Sequence, residues 1–212
     1  MNRRLALVTS IALLSIATYI LGWSSLFTVS SVEITGTQTQ LSSGISKGEK
    51  LARIEPRAIA AKFETIDWVA DAKVSRNWIN GKVRIKIIER TPVAIFNNTV
   101  FDSKGNSFVL RGTPVSPLVQ IQAIDLAAAK KAVTFFSSLP ADLKSTLTVV
   151  KVRNSGSLVL EVNKAGNNHE IRWGDDSDNE LKLKVYKALI ALPENASIKR
   201  VDVSAPHAPI VK

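Results

Sequence analysis

Cysteine is absent from the 212 residues, and histidine occurs only twice, as His169 and His207. The missing thiols exclude a disulfide framework, a thiolate nucleophile and a thiolate metal site. Two imidazoles are too few for a self-contained histidine metal centre. Also missing are the G-x-S-x-G turn that exposes a hydrolase serine and the glycine-rich loop that cradles phosphate. Despite a net charge of +10, no run of Lys or Arg exceeds two residues. A charge of that size suits nucleic acid, anionic lipid or an acidic polymer, but without basic runs it reads first as a solvated basic surface. What remains, 45% hydrophobic and 22% charged residues, is ordinary for a folded protein.

Acidic residues are missing altogether from residues 1–27, where Arg3 and Arg4 are the only charges. Behind that pair, residues 5–27 are 23 consecutive uncharged positions. At about 1.5 Å per residue a helix of this length reaches roughly 34 Å, enough to cross a hydrocarbon core of about 30 Å. Arginines before the apolar run keep residues 1–4 in the cytoplasm by the positive-inside rule, while Tyr19 and Trp23 suit the far interface. A cleaved signal peptide is the alternative. Its apolar core is shorter, and no A-x-A site follows here. An uncleaved anchor places everything after about residue 30 outside the cytoplasmic membrane, which removes intracellular nucleic acid as a partner.

FTVSSVEITG (27–36) alternates apolar and polar residues and ends at glycine, which predicts a strand. Glu55-Pro56 opens a helix, with Ile59, Phe63 and Ile66 on one stripe. In NWINGKVRIKIIERTPVAIF (77–96), Asn80-Gly81 is a hairpin signal. A two-residue turn there pairs Trp78 with Val83, Arg76 with Ile85 and Val74 with Ile87. Ala72, Val74, Trp78, Val83, Ile85 and Ile87 then share an apolar face, with Arg76 a misfit whose stem is buried and whose head snorkels. Pro92 lacks an N–H and ends the strand. Strand, helix, strand, strand makes a small α+β unit.

Further along, residues 102–106 read as a turn between short strands, and residues 117–122 as a strand. Asp125 caps a helix with Leu126, Ala129, Val133 and Phe136 on one face, ended by Pro140. Strands follow over 146–153, 157–163 and 170–173, divided by turns at 154–156 and 166–168. A last helix carries Leu181, Val185, Leu189 and Leu192, and IKRVDV (198–203) is a final strand. The one carboxylate cluster, GDDSDNELK (174–182), fails the calcium-loop pattern because Leu181 stands where glycine is required. It reads instead as a helix start, with Ser177 and Glu180 forming a capping box. His169 falls in a glycine-asparagine turn, facing solvent. Nothing sets a base against a nucleophile.

The single apolar span, the strand-helix-strand-strand unit behind it, WVADAKVSRNW (68–78), IIERTPVAIF (87–96) and FDSKGNSF (101–108) together resemble the bacterial cell-division family FtsQ, called DivIB in Gram-positive bacteria. IRWGDDSDNELKLKVYKAL (171–189) and IKRVDV resemble later landmarks of that family. The resemblance covers essentially the whole chain in order. It implies an α+β protein with a cytoplasmic tail (1–4), a transmembrane helix (5–27), a POTRA domain (28–96) and an FtsQ-type β domain (97–212) with two helices on an antiparallel sheet. It further implies a non-enzymatic, cofactor-free, single-pass component of the divisome in the inner membrane at the septum. Its outer part would bridge FtsB/DivIC, FtsL and an FtsW/FtsI-type septal peptidoglycan synthase.

Two other readings compete. A POTRA-bearing secretion or envelope-assembly factor usually carries several such units or a β-barrel, for which this chain has no room. A cell-wall enzyme lacks its catalytic pair. For a scaffold, function falls on sheet edges. The final strand is the expected edge, with Lys199, Arg200, Val201, Asp202, Val203, Ser204 and Ala205 as the pairing segment and Lys199 and Arg200 drawing in acidic residues. Arg76 and Trp78 mark a second candidate face. The alternative is that this strand only completes the sheet.

Overall fold

The structure, a computed structural model, describes residues 3–22, 26–164 and 167–212. Two compact units divide the chain, Met1–Arg90 and Thr91–Lys212.

Unit one begins with helix α1, Arg3–Gly22. Large apolar side chains stand exposed at every angle around it, among them Leu5, Val8, Ile11 and Leu14. Among the described residues no helix is long and apolar enough to cross a membrane. The expected span runs on into residues 23–25. Trp23 therefore lies outside the described residues, as do the side chains of Arg3 and Arg4. Beyond α1, strand β1 (Ser31–Thr35), helix α2 (Pro56–Glu64), β2 (Val69–Arg76) and β3 (Lys82–Glu89) build a sheet in the order β1-β3-β2. β1 runs parallel to β3, and β3 antiparallel to β2. Pro56 sits in the first turn of α2, where its missing N–H costs nothing. The predicted stripe is there: Phe63 is buried, with Ile59 and Ile66 packed beside it against Val83, Ile85 and Ile87.

The hairpin corrects the expected register. Arg76 pairs with Val83, Val74 with Ile85 and Ala72 with Ile87, two residues from the predicted pairing. Both faces survive, because side chains alternate with a period of two. The turn is longer because Asn77 takes charge of it. Its Oδ1 accepts from the amides of Ile79 (3.0 Å) and Asn80 (3.3 Å), and its carbonyl accepts from Gly81 N (3.0 Å). Gly81 has φ +71°, and a Cβ there would lie 2.4 Å from the Thr28 carbonyl oxygen. Trp78 is consequently in the turn rather than on the buried face.

Unit two holds β4 (Ala94–Phe96), β5 (Thr99–Phe101), β6 (Ser107–Phe108), β7 (Val119–Gln122), α3 (Leu126–Ser138), α4 (Ala141–Lys144), β8 (Leu147–Val152), β9 (Leu158–Lys164), β10 (Asn167–Gly174), α5 (Asn179–Ile190), β11 (Arg200–Asp202) and β12 (Ile210–Val211). They form a nine-stranded sheet ordered β12-β11-β10-β9-β8-β7-β4-β5-β6. Residues 94–96, placed with the first unit in the sequence reading, thus belong to this sheet. Nor is the sheet antiparallel throughout: β4 and β7, β7 and β8, and β10 and β11 run parallel. Parallel neighbours need a long crossover. α3 with α4 supplies it between β7 and β8, and α5 between β10 and β11.

Asp125 caps α3 as expected, its Oδ1 accepting from Ala128 N at 2.7 Å. Asp102 likewise organises the predicted turn by accepting from the amides of Lys104 and Asn106. The core centres on Trp173, met edge-on by Phe135 at 5.7 Å. Of the predicted α5 stripe, Val185 and Leu189 pack against the core, but they flank the most buried face. Lys182 and Tyr186 are its buried residues, while Leu192 is exposed.

Candidate functional site

β11 is not an edge. It pairs with β10 on one side and with β12 on the other, as Val201↔Val211 and Asp202↔Ile210. β12 comes from the proline-bearing tail, which turns back through a bond from Ala208 N to the Ala205 carbonyl. Pro206 and Pro209, just ahead of it, hid this strand from the sequence pattern. Arg200 and Lys212 exchange both backbone hydrogen bonds at 2.9 Å. By antiparallel alternation, Val211 therefore turns its N–H and C=O away from β11. The open edge at this end of the sheet is β12, and Ile210 and Val211 are both exposed on it.

The predicted segment separates into distinct roles. Val201 and Val203 are buried in the core, and Val203 N donates inward to the Arg172 carbonyl at 2.9 Å. Asp202 accepts from Ser204 N and Oγ, tying off the strand. Arg200 is already engaged, its Nε 2.8 Å from Glu170 Oε1, which also takes Arg172 Nε at 3.3 Å. Burial pushes the Glu170 carboxyl up, but the two guanidinium bonds outweigh it and hold it below the usual range. Lys199 and Ala205 are exposed, so of the expected cationic pair only Lys199 is turned outward.

Arg76 is no snorkelling misfit. Its Nη1 donates to the carbonyls of Leu51 (2.9 Å) and Ile54 (2.7 Å), pinning the 3-10 turn Leu51–Arg53 to β2. Its guanidinium carbon stands 5.1 Å over the Trp78 ring, which also meets Phe27 edge-on at 6.1 Å.

His169 lies in β10 rather than a solvent-facing turn. Its Nε2 is 2.8 Å from the Tyr186 hydroxyl, whose pKa burial pushes up to about 12. The capping box is also replaced. Asp178 stands at the start of α5 with φ +49° and no side-chain cap bond, and Ser177 Oγ donates to Asp175 instead. What holds this loop is Lys182, whose Nζ donates to Asp175 O (2.9 Å) and Oδ1 (2.7 Å). Sequence reasoning missed it because a lysine on a helix ordinarily reads as solvated. Among the described residues no three His, Asp or Glu side chains group to hold a metal ion.

Residues 27–90 match the family described as POTRA domain, FtsQ-type, and residues 94–204 match Cell division protein FtsQ/DivIB, C-terminal. The chain is 25% identical to Cell division protein FtsQ of Corynebacterium glutamicum, over 86% of this chain and 88% of that protein. It is also 25% identical to Cell division protein FtsQ of Mycolicibacterium smegmatis, over 85% of this chain and 54% of that protein. With one unit matched as its POTRA domain and more than half of the chain matched by its carboxy-terminal domain, this protein belongs to the FtsQ/DivIB cell-division family.

Proposed function

We propose that the chain is a non-enzymatic, single-pass membrane scaffold of the divisome. Everything after about residue 30 lies outside the cytoplasmic membrane at the septum, linking FtsB/DivIC and FtsL to an FtsW/FtsI-type synthase. The observation that carries the partner reading is the open β12 edge, with exposed Ile210 and Val211 and an outward-facing Val211 backbone. An extended segment of FtsB/DivIC adds there as a tenth strand, so main-chain bonds supply affinity and the two apolar side chains supply fit. Lys199, beside this edge, favours an acidic segment.

The anchor reading rests on the 23 uncharged residues and on α1 itself. The hydroxyls of Thr9, Ser10, Ser15 and Thr18 each donate to a carbonyl one turn back. Such pairing lets a helix carry polar side chains into lipid without orphaned donors.

The test is a calorimetric titration of the detergent-solubilised chain with the FtsB/DivIC extracytoplasmic segment. Val211→Pro removes the outward donor and leaves β11 paired to β10. It is expected to weaken binding at least about tenfold, the worth of one well-made backbone bond with its geometry. A folded Val211→Pro chain that binds with unchanged affinity overturns the edge reading.

A further inference from the structure

Among the described residues of unit one outside α1, the most exposed large apolar side chain is Ile79, 99% exposed at the tip of the β2–β3 hairpin. Beside it is Trp78, 36% exposed, whose ring meets Phe27 edge-on. Phe27 lies only five positions beyond the last residue of α1, so the hairpin tip rests against the chain close to the proposed anchor. The contact is fixed by backbone as well. Ser30 N donates to Gly81 O at 2.8 Å, and Ser30 Oγ to Asn80 O at 2.7 Å.

Two features suit this tip to a lipid surface rather than to water. Its amides at Ile79, Asn80 and Lys82 are taken by the side chains of Asn77 and Asn80, so entry into a low-dielectric layer orphans none of those three donors. Next to it lies a hollow of about 450 Å³ whose charged lining is Arg76, Lys82 and Arg84, with no carboxylate. Glu33 pairs with Lys82 at 2.8 Å and with Arg84 at 3.3 Å, which neutralises one of the three. A cationic hollow flanked by an aliphatic and an indole side chain has the chemistry of an interfacial anchor for anionic lipid.

We propose that the Trp78-Ile79 tip inserts into the headgroup layer beside the anchor, with the hollow holding an anionic lipid headgroup. The first unit is thereby docked on the bilayer rather than tethered above it. This rests on the membrane-spanning reading of α1.

The absence of cysteine gives a clean test, since a single introduced thiol is the only one to label. Ile79→Cys, Ala70→Cys and Ser15→Cys are each labelled with an environment-sensitive fluorophore. The full chain is then reconstituted in phosphatidylethanolamine–phosphatidylglycerol vesicles carrying nitroxide lipids. Ala70 lies at the far end of the sheet, where Val69 pairs with Glu89, roughly 23 Å along the strand. A shallow nitroxide is expected to quench the Ile79 probe at least about twofold and to leave the Ala70 probe unquenched, while a deep one quenches at Ser15. Replacing phosphatidylglycerol with phosphatidylcholine reduces quenching at Ile79. Quenching at Ser15 without any at Ile79 overturns the docking and leaves the anchor standing. No quenching at Ser15 overturns the anchor and the docking with it. Equal quenching at Ile79 and Ala70 overturns a tip-specific contact, and indifference to phosphatidylglycerol overturns the headgroup role of the hollow.

Discussion

Lys182 and Asp175 form an ion pair of opposite exposure, the lysine side chain 1% accessible and the carboxylate 75%, with Nζ 2.7 Å from Oδ1. The buried ammonium reaches out to hold the loop in front of α5, and the Lys182 bond holds the Asp175 carboxyl below its usual range. Lys182→Ala removes both the packing of the stem and the loop's tether. It is expected to cost about 2 to 4 kcal/mol in denaturant unfolding, in the range of large-to-small core changes. Lys182→Met keeps the volume and loses only the polar tip, so it is expected to cost less than about 1.5 kcal/mol. Equal losses for the two variants would show that the hydrogen bonds, and not the stem, carry the effect.

Arg76→Met deletes two charge-assisted bonds to backbone carbonyls. The expected loss is about 2 to 3 kcal/mol, with amide exchange accelerated at residues 50–54. Unchanged exchange there is the result that would sink the pinning role.

Trp78 and Gly81 are expected to rank opposite to side-chain size. Trp78→Ala removes a ring already partly exposed, with its edge-on contact to Phe27 and its stacking under the Arg76 guanidinium, for about 1 to 2 kcal/mol. Gly81→Ala forces a side chain into positive φ at about 1 kcal/mol, and its Cβ also meets a carbonyl oxygen at 2.4 Å. The glycine variant is therefore expected to unfold at the lower denaturant concentration, and the reverse order would refute the turn geometry.

Glu170 supplies an acid limb to stability. Its folded pKa lies below the 4.5 of a free glutamate. Its contribution is therefore fully present above about pH 4.5 and lost as pH falls through the folded value. Glu170→Gln is expected to be less stable than the parent at pH 7 and to approach it at pH 3. A stability difference that stays constant between those two pH values, by urea unfolding, would remove the carboxylate from this role.

What could be read in the sequence follows from periodicity and local chemistry. The faces of β2 and β3, the α2 stripe and the Asp125 cap each depend on residues close together in the chain. The misses depend on distant partners. Arg76 looked like a misfit because Leu51 and Ile54, whose carbonyls it serves, lie more than twenty positions earlier. The α5 stripe was placed only in part, because apolar periodicity carries no sign that a lysine, Lys182, is buried beside it. The site suffered most. β12 is a two-residue strand between prolines and solvent, defined by its pairing with β11 rather than by any pattern of its own, so the edge was assigned one strand too early.

The four-residue loop that closes the β2–β3 hairpin, 78–81, has an evolutionary consequence. Because an even shift returns every side chain to its own face, the tip can lengthen or shorten in steps of two while the core of the unit is left untouched. Tip length and tip composition are thereby separable from folding, and selection can refit that projection to a different surface without renegotiating the interior.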